Sequence, residues 1–273
     1  MALALPLPPL KLLSSAFAAA SSSQESSSSS SPSSFSYRPA VILPGLGNNS
    51  SDYNKLEATL KEQYGVPTLV AKVSRLDWLR NAAGLVDPNY WRGTLRPRPV
   101  LDWYLKRVDE AVLEAKELAQ GGTLSLIGHS AGGWLARVYM EEFGLSDISL
   151  LLTLGTPHLY IQGAPFFGSS IANVESVIPN DNAEVAVVND VGTPVSNATT
   201  LRARLVGQGY KQVCGQADIW GDGVVPEVSA HLEGANNITL DGVYHSPVGS
   251  DDASRPWYGS PVVVEKWIHH LLN

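Results

Sequence analysis

Three residue types in one order carry the chemistry this sequence could perform: a serine, then an aspartate, then a histidine. The serine is Ser130, in Gly128-His129-Ser130-Ala131-Gly132. Leu124-Ser125-Leu126-Ile127 before it is a short apolar run of the kind that forms a buried parallel strand. After it, Leu135, Val138, Tyr139 and Phe143 recur at helical spacing. A serine at a sharp turn from strand to helix reads as a nucleophile elbow. The strained turn lifts the hydroxyl above the sheet edge. Side chains two positions to either side would collide there, and glycines stand at both places. The helix that follows aims its free N–H groups at the point where an oxyanion would form.

Serine is a poor nucleophile at pH 7 until a histidine takes its proton and a carboxylate holds that histidine in one tautomer. The elbow architecture expects the chain order serine, acid, histidine, with the acid beyond a late strand and the histidine beyond the last. Asp222, between Gly221 and Gly223, and His245, after a strand expected over Asn237–Asp241, meet that order. The nearest rival acids are Asp218 and Asp241, the first close to its strand and the second within one. Asp181 and Asp190 fall in an expected insertion. His231 follows Asp222 too closely, His269 and His270 read as solvated residues of a terminal helix, and His158 precedes the acid. His129 also precedes it and reads as a packed or hydrogen-bonded residue that shapes the elbow. The second half of an oxyanion hole is expected in the loop after an early strand. Pro39–Pro44 supplies the strand and Gly45-Leu46-Gly47-Asn48-Asn49 the loop, so the backbone N–H of Leu46 pairs with that of Ala131.

The elements that must position these groups follow from patterning. The sequence alternates strands and helices without hairpin signals, which implies a parallel sheet covered on both sides. A helix is expected from about Asp52 to Tyr64, a strand over Thr68–Val73, and an irregular stretch with aromatic anchors from Asp77 to Pro99. The longest helix is expected over Val100–Gln120, with Leu101, Tyr104, Leu105, Val108, Val112 and Leu118 on its apolar face and Gly121-Gly122 closing it. Ile148–Leu154 reads as a buried strand. Residues 156–200 lose periodicity and read as a small apolar lid beside the site. A further strand is expected within Thr200–Gly215, and a closing helix from Pro261 to Leu272.

Composition bounds the function. The 273 residues are 44% hydrophobic and 16% charged, enough apolar content for a full α/β core. The net charge of −7 with no basic run argues against nucleic acid as a partner. One cysteine, Cys214, rules out an intrachain disulfide and leaves too few ligands for the usual zinc or iron–sulfur sites. Cys214 reads as a small buried apolar residue. Residues 1–36 are rich in Ala, Leu and Pro and then in Ser, with Glu25 the one acid. That composition reads as a plastid transit peptide ahead of a folded domain over 37–273, with a secretory signal as the rival.

On these motifs the folded part resembles the α/β-hydrolases, and among them the lipase and esterase branch. The resemblance rests on Pro44-Gly45-Leu46-Gly47, Gly128-His129-Ser130-Ala131-Gly132-Gly133, Leu154-Gly155-Thr156-Pro157-His158, Gly221-Asp222-Gly223-Val224-Val225-Pro226 and Tyr244-His245. Pro44 stands where relatives often carry histidine. The resemblance implies an eight-stranded, mostly parallel sheet flanked by helices, no cofactor, and a ping-pong acyl-enzyme route. The expected substrate is a small-molecule ester or lipid, with peripheral contact to a membrane or lipid droplet. An acyltransferase with the same triad and a non-catalytic binding protein on the same fold are the alternatives.

Overall fold

Runs of apolar residues too short for helices form the centre of the molecule. In the computed structural model the described residues are 37–92, 94–158, 184–191, 207, 210, 211, 215, 216 and 218–273. Strand β1 (Ala40–Leu43) is buried on both faces. A 3-10 turn over Ser50–Tyr53 follows, capped by Asn49 with a reciprocal bond from Asp52. Helix α1 (Asn54–Ala58) and a π turn over Thr59–Gln63 complete that helical run, where one helix was expected. Strand β2 is short (Thr68–Val70).

The stretch expected to be irregular is a 3-10 run over Arg75–Val86, capped by Ser74 and Asp77 in the same reciprocal way, and then helix α2 (Pro88–Trp91). Helix α3 (Asp102–Ala119) buries Tyr104, Leu105, Val108, Ala111, Val112 and Ala115. Leu118, expected on that face, is half exposed: it stands in the last turn, beyond Ala115, the last buried residue of the helix. The helix closes one residue earlier than expected, with Gln120 itself left-handed at φ 48° ahead of Gly121.

Strand β3 (Leu124–His129), helix α4 (Ala131–Phe143) and strand β4 (Ile148–Leu154) stand where the sequence placed them. Phe143, expected on the buried stripe of α4, is half exposed and stacks on Tyr139. Two expectations fail in the next stretch. Glu184–Val191, inside the span read as a lid, is strand β5 of the central sheet. Tyr210 and Lys211, inside the span read as a strand, are helical. The remainder of both spans, and Cys214, lie outside the described residues. Helix α5 (Glu227–Ala230), strand β6 (Asn236–Asp241) and helix α6 (Pro261–Trp267) with a 3-10 turn to His270 complete the described chain.

The sheet order is β2-β1-β3-β4-β5-β6, and every pairing is parallel. Among the described residues the strands number six, rather than the eight implied by resemblance. The edges are the three-residue β2 and β6, whose Asn236, Asn237, Thr239 and Asp241 are exposed. Alternate residues of the central strands feed two cores. Val41, Leu43, Leu124 and Leu126 pack with α3 and α4 on one face. Ala40, Ile42, Ile127 and Leu152 pack with Tyr53, Leu56 and the helix α6 residues Val264 and Trp267 on the other. Chain order reverses between β1 and β3: β2 is laid down on one side of β1, and β3 on the other. Open parallel sheets bind ligands at such a topological switch point, at the carboxyl ends of the strands.

Trp267 is fully buried in the second core and donates its indole N–H to the Tyr258 carbonyl at 3.0 Å. Trp267→Ala is expected to cost about 3–5 kcal/mol of stability, read as a lowered midpoint of urea unfolding. An unchanged midpoint would remove α6 from the core.

Candidate active site

Ser130 sits at the switch point, between the end of β3 and the first residue of α4. Its backbone, at φ 54° and ψ −129°, lies in a region L-residues seldom occupy. Such strain costs about 1–3 kcal/mol and persists only where the surroundings fix it. Here they do. The Ser130 N–H donates to the Leu154 carbonyl of β4 at 2.9 Å. A side chain at Gly128 would run into the backbone of Gly133, and one at Gly132 into the carbonyl of Leu43. Glycine at these positions lets the start of α4 rest on the ends of β1 and β3. A Cβ at Gly45 would come within 2.8 Å of the Ser130 Cβ, so the first loop also closes on the serine.

The structure brings Asp222 and His245 together. The His245 Nδ1 lies 2.5 Å from Asp222 Oδ2, with both side chains buried. A second contact ties the two loops, the His245 N–H donating to the Asp222 carbonyl at 3.1 Å. Both carboxylate oxygens of Asp222 are engaged. Oδ1 accepts from the N–H groups of Val224 (2.9 Å) and Val225 (2.7 Å), and Oδ2 also accepts from the Tyr258 hydroxyl at 2.9 Å. Burial pushes the Asp222 carboxyl up. The imidazole of His245 and the two backbone donors outweigh that and hold it below the usual carboxylate range. Room for this pair comes from Gly155, at φ 54°, where a Cβ would stand 2.6 Å from Asp222 Oδ2 and from the Tyr258 ring.

The loop after β1 is held from several directions. Its Pro44 carbonyl accepts from the Tyr104 hydroxyl at 2.7 Å, and the Gly45 N–H donates to the Tyr53 hydroxyl at 2.8 Å. The Asn48 N–H closes back on the Gly45 carbonyl at 3.1 Å, and the Trp78 indole donates to the Asn48 carbonyl at 2.8 Å. Among the described residues, the N–H groups of Leu46 and Ala131 carry no hydrogen bond. They remain the candidate oxyanion donors, on a loop and a helix start that are already fixed.

Not everything is joined. No hydrogen bond links Ser130 Oγ to His245 among the described residues. Such bonds commonly tighten only once substrate is bound. The link that exists runs through the neighbouring residue, since the His129 ring lies 4.9 Å from the His245 ring. His129 is buried and hydrogen-bonded, as read from the sequence. Its Nδ1 lies 2.7 Å from the Tyr53 hydroxyl and its Nε2 2.9 Å from the His245 carbonyl. Of the rival residues, Asp218 and Asp241 are exposed, Asp190 is within β5, and Asp181 lies outside the described residues. His231 stands 3.7 Å from Glu227 beyond α5. His270, read as solvated, is buried, because the 3-10 turn after α6 tucks it inward while His269 stays exposed.

Four functional neighbours carried no sequence signal. Tyr258 and Tyr53 reach the site from residues with no motif around them. Tyr210 accepts the Gly223 N–H at 2.7 Å and so supports the acid loop. Arg137, fully buried on α4, approaches His158 Nδ1 at 3.4 Å, and His158 Nε2 contacts Thr153 Oγ1 at 3.0 Å. Among the described residues, no group of three or more His, Cys, Asp or Glu side chains gathers as metal ligands would. No helix there is long and apolar enough to cross a membrane.

No protein-family model matches the chain, and no curated protein matches it by sequence. Solved structures do match. The mature form of the lipase BlEst2 from Bacillus licheniformis aligns with 87% of this chain and 93% of its own at 15% identity and a TM-score of 0.50. Phospholipase PlaB from Legionella pneumophila aligns with 86% of this chain at 13% identity and a TM-score of 0.54. This chain spans 60% of that one. The protein has the α/β-hydrolase fold. In this fold the elbow and the acid–histidine pair lie together at the carboxyl ends of the strands.

Two buried histidines make stability pH-dependent. Burial lowers the pKa of His129 to about 3, helped by His245 beside it, and burial with the Arg137 charge does the same to His158. Between pH 6.5 and 3 the unfolded chain therefore binds protons at both positions that the folded chain refuses. Stability is full above pH 6.5 and falls as pH drops, by up to about 1.4 kcal/mol per pH unit for each histidine. Urea unfolding at pH 7, 6, 5 and 4 is expected to show that steepening loss. A flat response from pH 6.5 to 4.5 would mean the two rings are not buried as neutral species.

Proposed function

We propose that the protein is a serine hydrolase of carboxylic esters, acting on acyl lipids or other apolar esters. One observation carries this reading. A serine held at a strained elbow between β3 and α4 shares the carboxyl end of the sheet with a buried Asp222–His245 pair, in the chain order such a triad requires. Ser130 attacks the ester carbonyl while His245 Nε2 accepts its proton. Asp222 holds the Nδ1–H tautomer and stabilises the imidazolium that forms. The N–H groups of Leu46 and Ala131 take up the charge on the carbonyl oxygen. His245 returns the proton to the leaving alkoxide, then activates a water that releases the acid from Ser130.

The preference for apolar esters rests on the surface around the site. Each of the three loops that would carry catalysis exposes a large apolar side chain: Leu46, Val224 and Val248. The solved structures of similar fold include a lipase and a phospholipase, which supports the same substrate class. The first 36 residues are proposed to direct the chain to plastids, on their serine-rich, acid-poor composition. A fluorescent fusion of those residues tests that in plant cells.

Ser130→Ala is expected to lower kcat on p-nitrophenyl esters by roughly 10⁴-fold or more with the fold unchanged. A fluorophosphonate probe should label the wild type and not this variant. Asp222→Asn should cost a loss of about 10⁴-fold, because it presents the wrong tautomer to His245. Rates rising from butyrate to longer chains would support a lipid substrate. Equal, undiminished turnover by wild type and Ser130→Ala would end the reading.

A further inference from the structure

Resting on the hydrolase reading, the geometry points to Tyr53 and His129 as positioning residues that tie the oxyanion loop to the loop of the general base. Neither side chain touches a reacting atom. Together they span the distance between the two halves of the machinery.

The direction of every proton in this tie follows from its ends. His129 Nε2 faces the His245 carbonyl, which can only accept, so Nε2 carries the hydrogen. A neutral ring then has its lone pair on Nδ1, and the Tyr53 hydroxyl must donate to it. The phenol oxygen is left to accept, and the Gly45 N–H is the donor that reaches it. Burial keeps both groups in these forms: it pushes the Tyr53 phenol up and the His129 imidazolium down. Tyr53 and His129 are both buried, so water does not substitute readily for either bond.

The consequence is positional. Gly45 precedes the Leu46 N–H, and the His245 carbonyl belongs to the residue whose ring would take the Ser130 proton. His129 is bonded in the chain to Ser130. One three-bond series therefore fixes the oxyanion donor, the nucleophile and the base relative to each other, although they come from β1, β3 and β6. Displacement by an ångström within such a set costs rate without changing the chemistry of any member.

Tyr53→Phe keeps the packing and removes both hydrogen bonds of the hydroxyl. In the full chain it is expected to lower kcat on p-nitrophenyl butyrate by roughly 10–100-fold with KM within about twofold, since only transition-state stabilisation is lost. The pH midpoint of kcat/KM should stay put, because Asp222 and its bonds to His245 are intact. The Gly45 amide should exchange with deuterium at least about tenfold faster, while amides of β3 do not change. His129→Gln, which keeps an N–H within reach of the His245 carbonyl, should retain more activity than His129→Leu. Unchanged Gly45 exchange, an undiminished kcat, or a rise in KM matching the fall in kcat would each overturn the proposal. A wild type that neither turns over esters nor reacts with the fluorophosphonate, yet shows faster Gly45 exchange in Tyr53→Phe, would overturn the hydrolase reading and the catalytic role with it. The tie itself would then stand as a purely structural one.

Discussion

The closest constraint in the molecule is the seating of the first turn of α4 against the ends of β1 and β3. Everything at the site inherits its position from that contact. Without side chains at Gly128, Gly132 and Gly133, the helix start comes close enough to hold Ser130 in its unfavourable backbone conformation. The bond from Ser130 N–H to Leu154 then fixes the serine to β4 as well. Thr156 packs against Gly133 and approaches the Gly128 carbonyl, so the loop after β4 buttresses the same contact. A larger residue at Gly128 or Gly132 would have to move backbone, and one at Gly133 would have to displace the Thr156 side chain.

Asp222 and His245 are held by a different principle. Asp222 is buried with no oxygen left unoccupied, and its charge is sustained by donors rather than by solvent. Because the Tyr258 hydroxyl contributes one of those donors and its carbonyl accepts from Trp267, the packing of α6 reaches the Asp222–His245 pair through a single residue. The buried Arg137 and neutral His158 form another internal polar group beneath α4, set beside Thr153 of β4.

Much of this was legible from local pattern. Ser130, Asp222 and His245 stood out because the chemistry demands a particular order, and a strand–glycine–helix transition is visible in five residues. Strands β1, β3 and β4 were legible as short apolar runs. Strand β5 was not. Glu184–Val191 mixes Val with Glu, Asn and Asp, sits among Gly- and Pro-rich neighbours, and becomes a strand through pairing with β4 and β6. Tyr53, Tyr210 and Tyr258 were invisible for a related reason. Their hydroxyls act across 8 to 76 residues of sequence, and nothing local marks a tyrosine whose hydroxyl is committed. His270 misled because two adjacent histidines near a terminus look solvated until a tighter turn rotates one inward.

The edges of the sheet bear on how copies of the molecule can meet. On one side β2 offers three residues, too short a template for another strand to lengthen the sheet. On the other, β6 presents Asn236, Asn237, Thr239 and Asp241, and the Asn237 amide folds back onto the Leu232 and Ala235 carbonyls. Strand-to-strand self-association is discouraged at both margins.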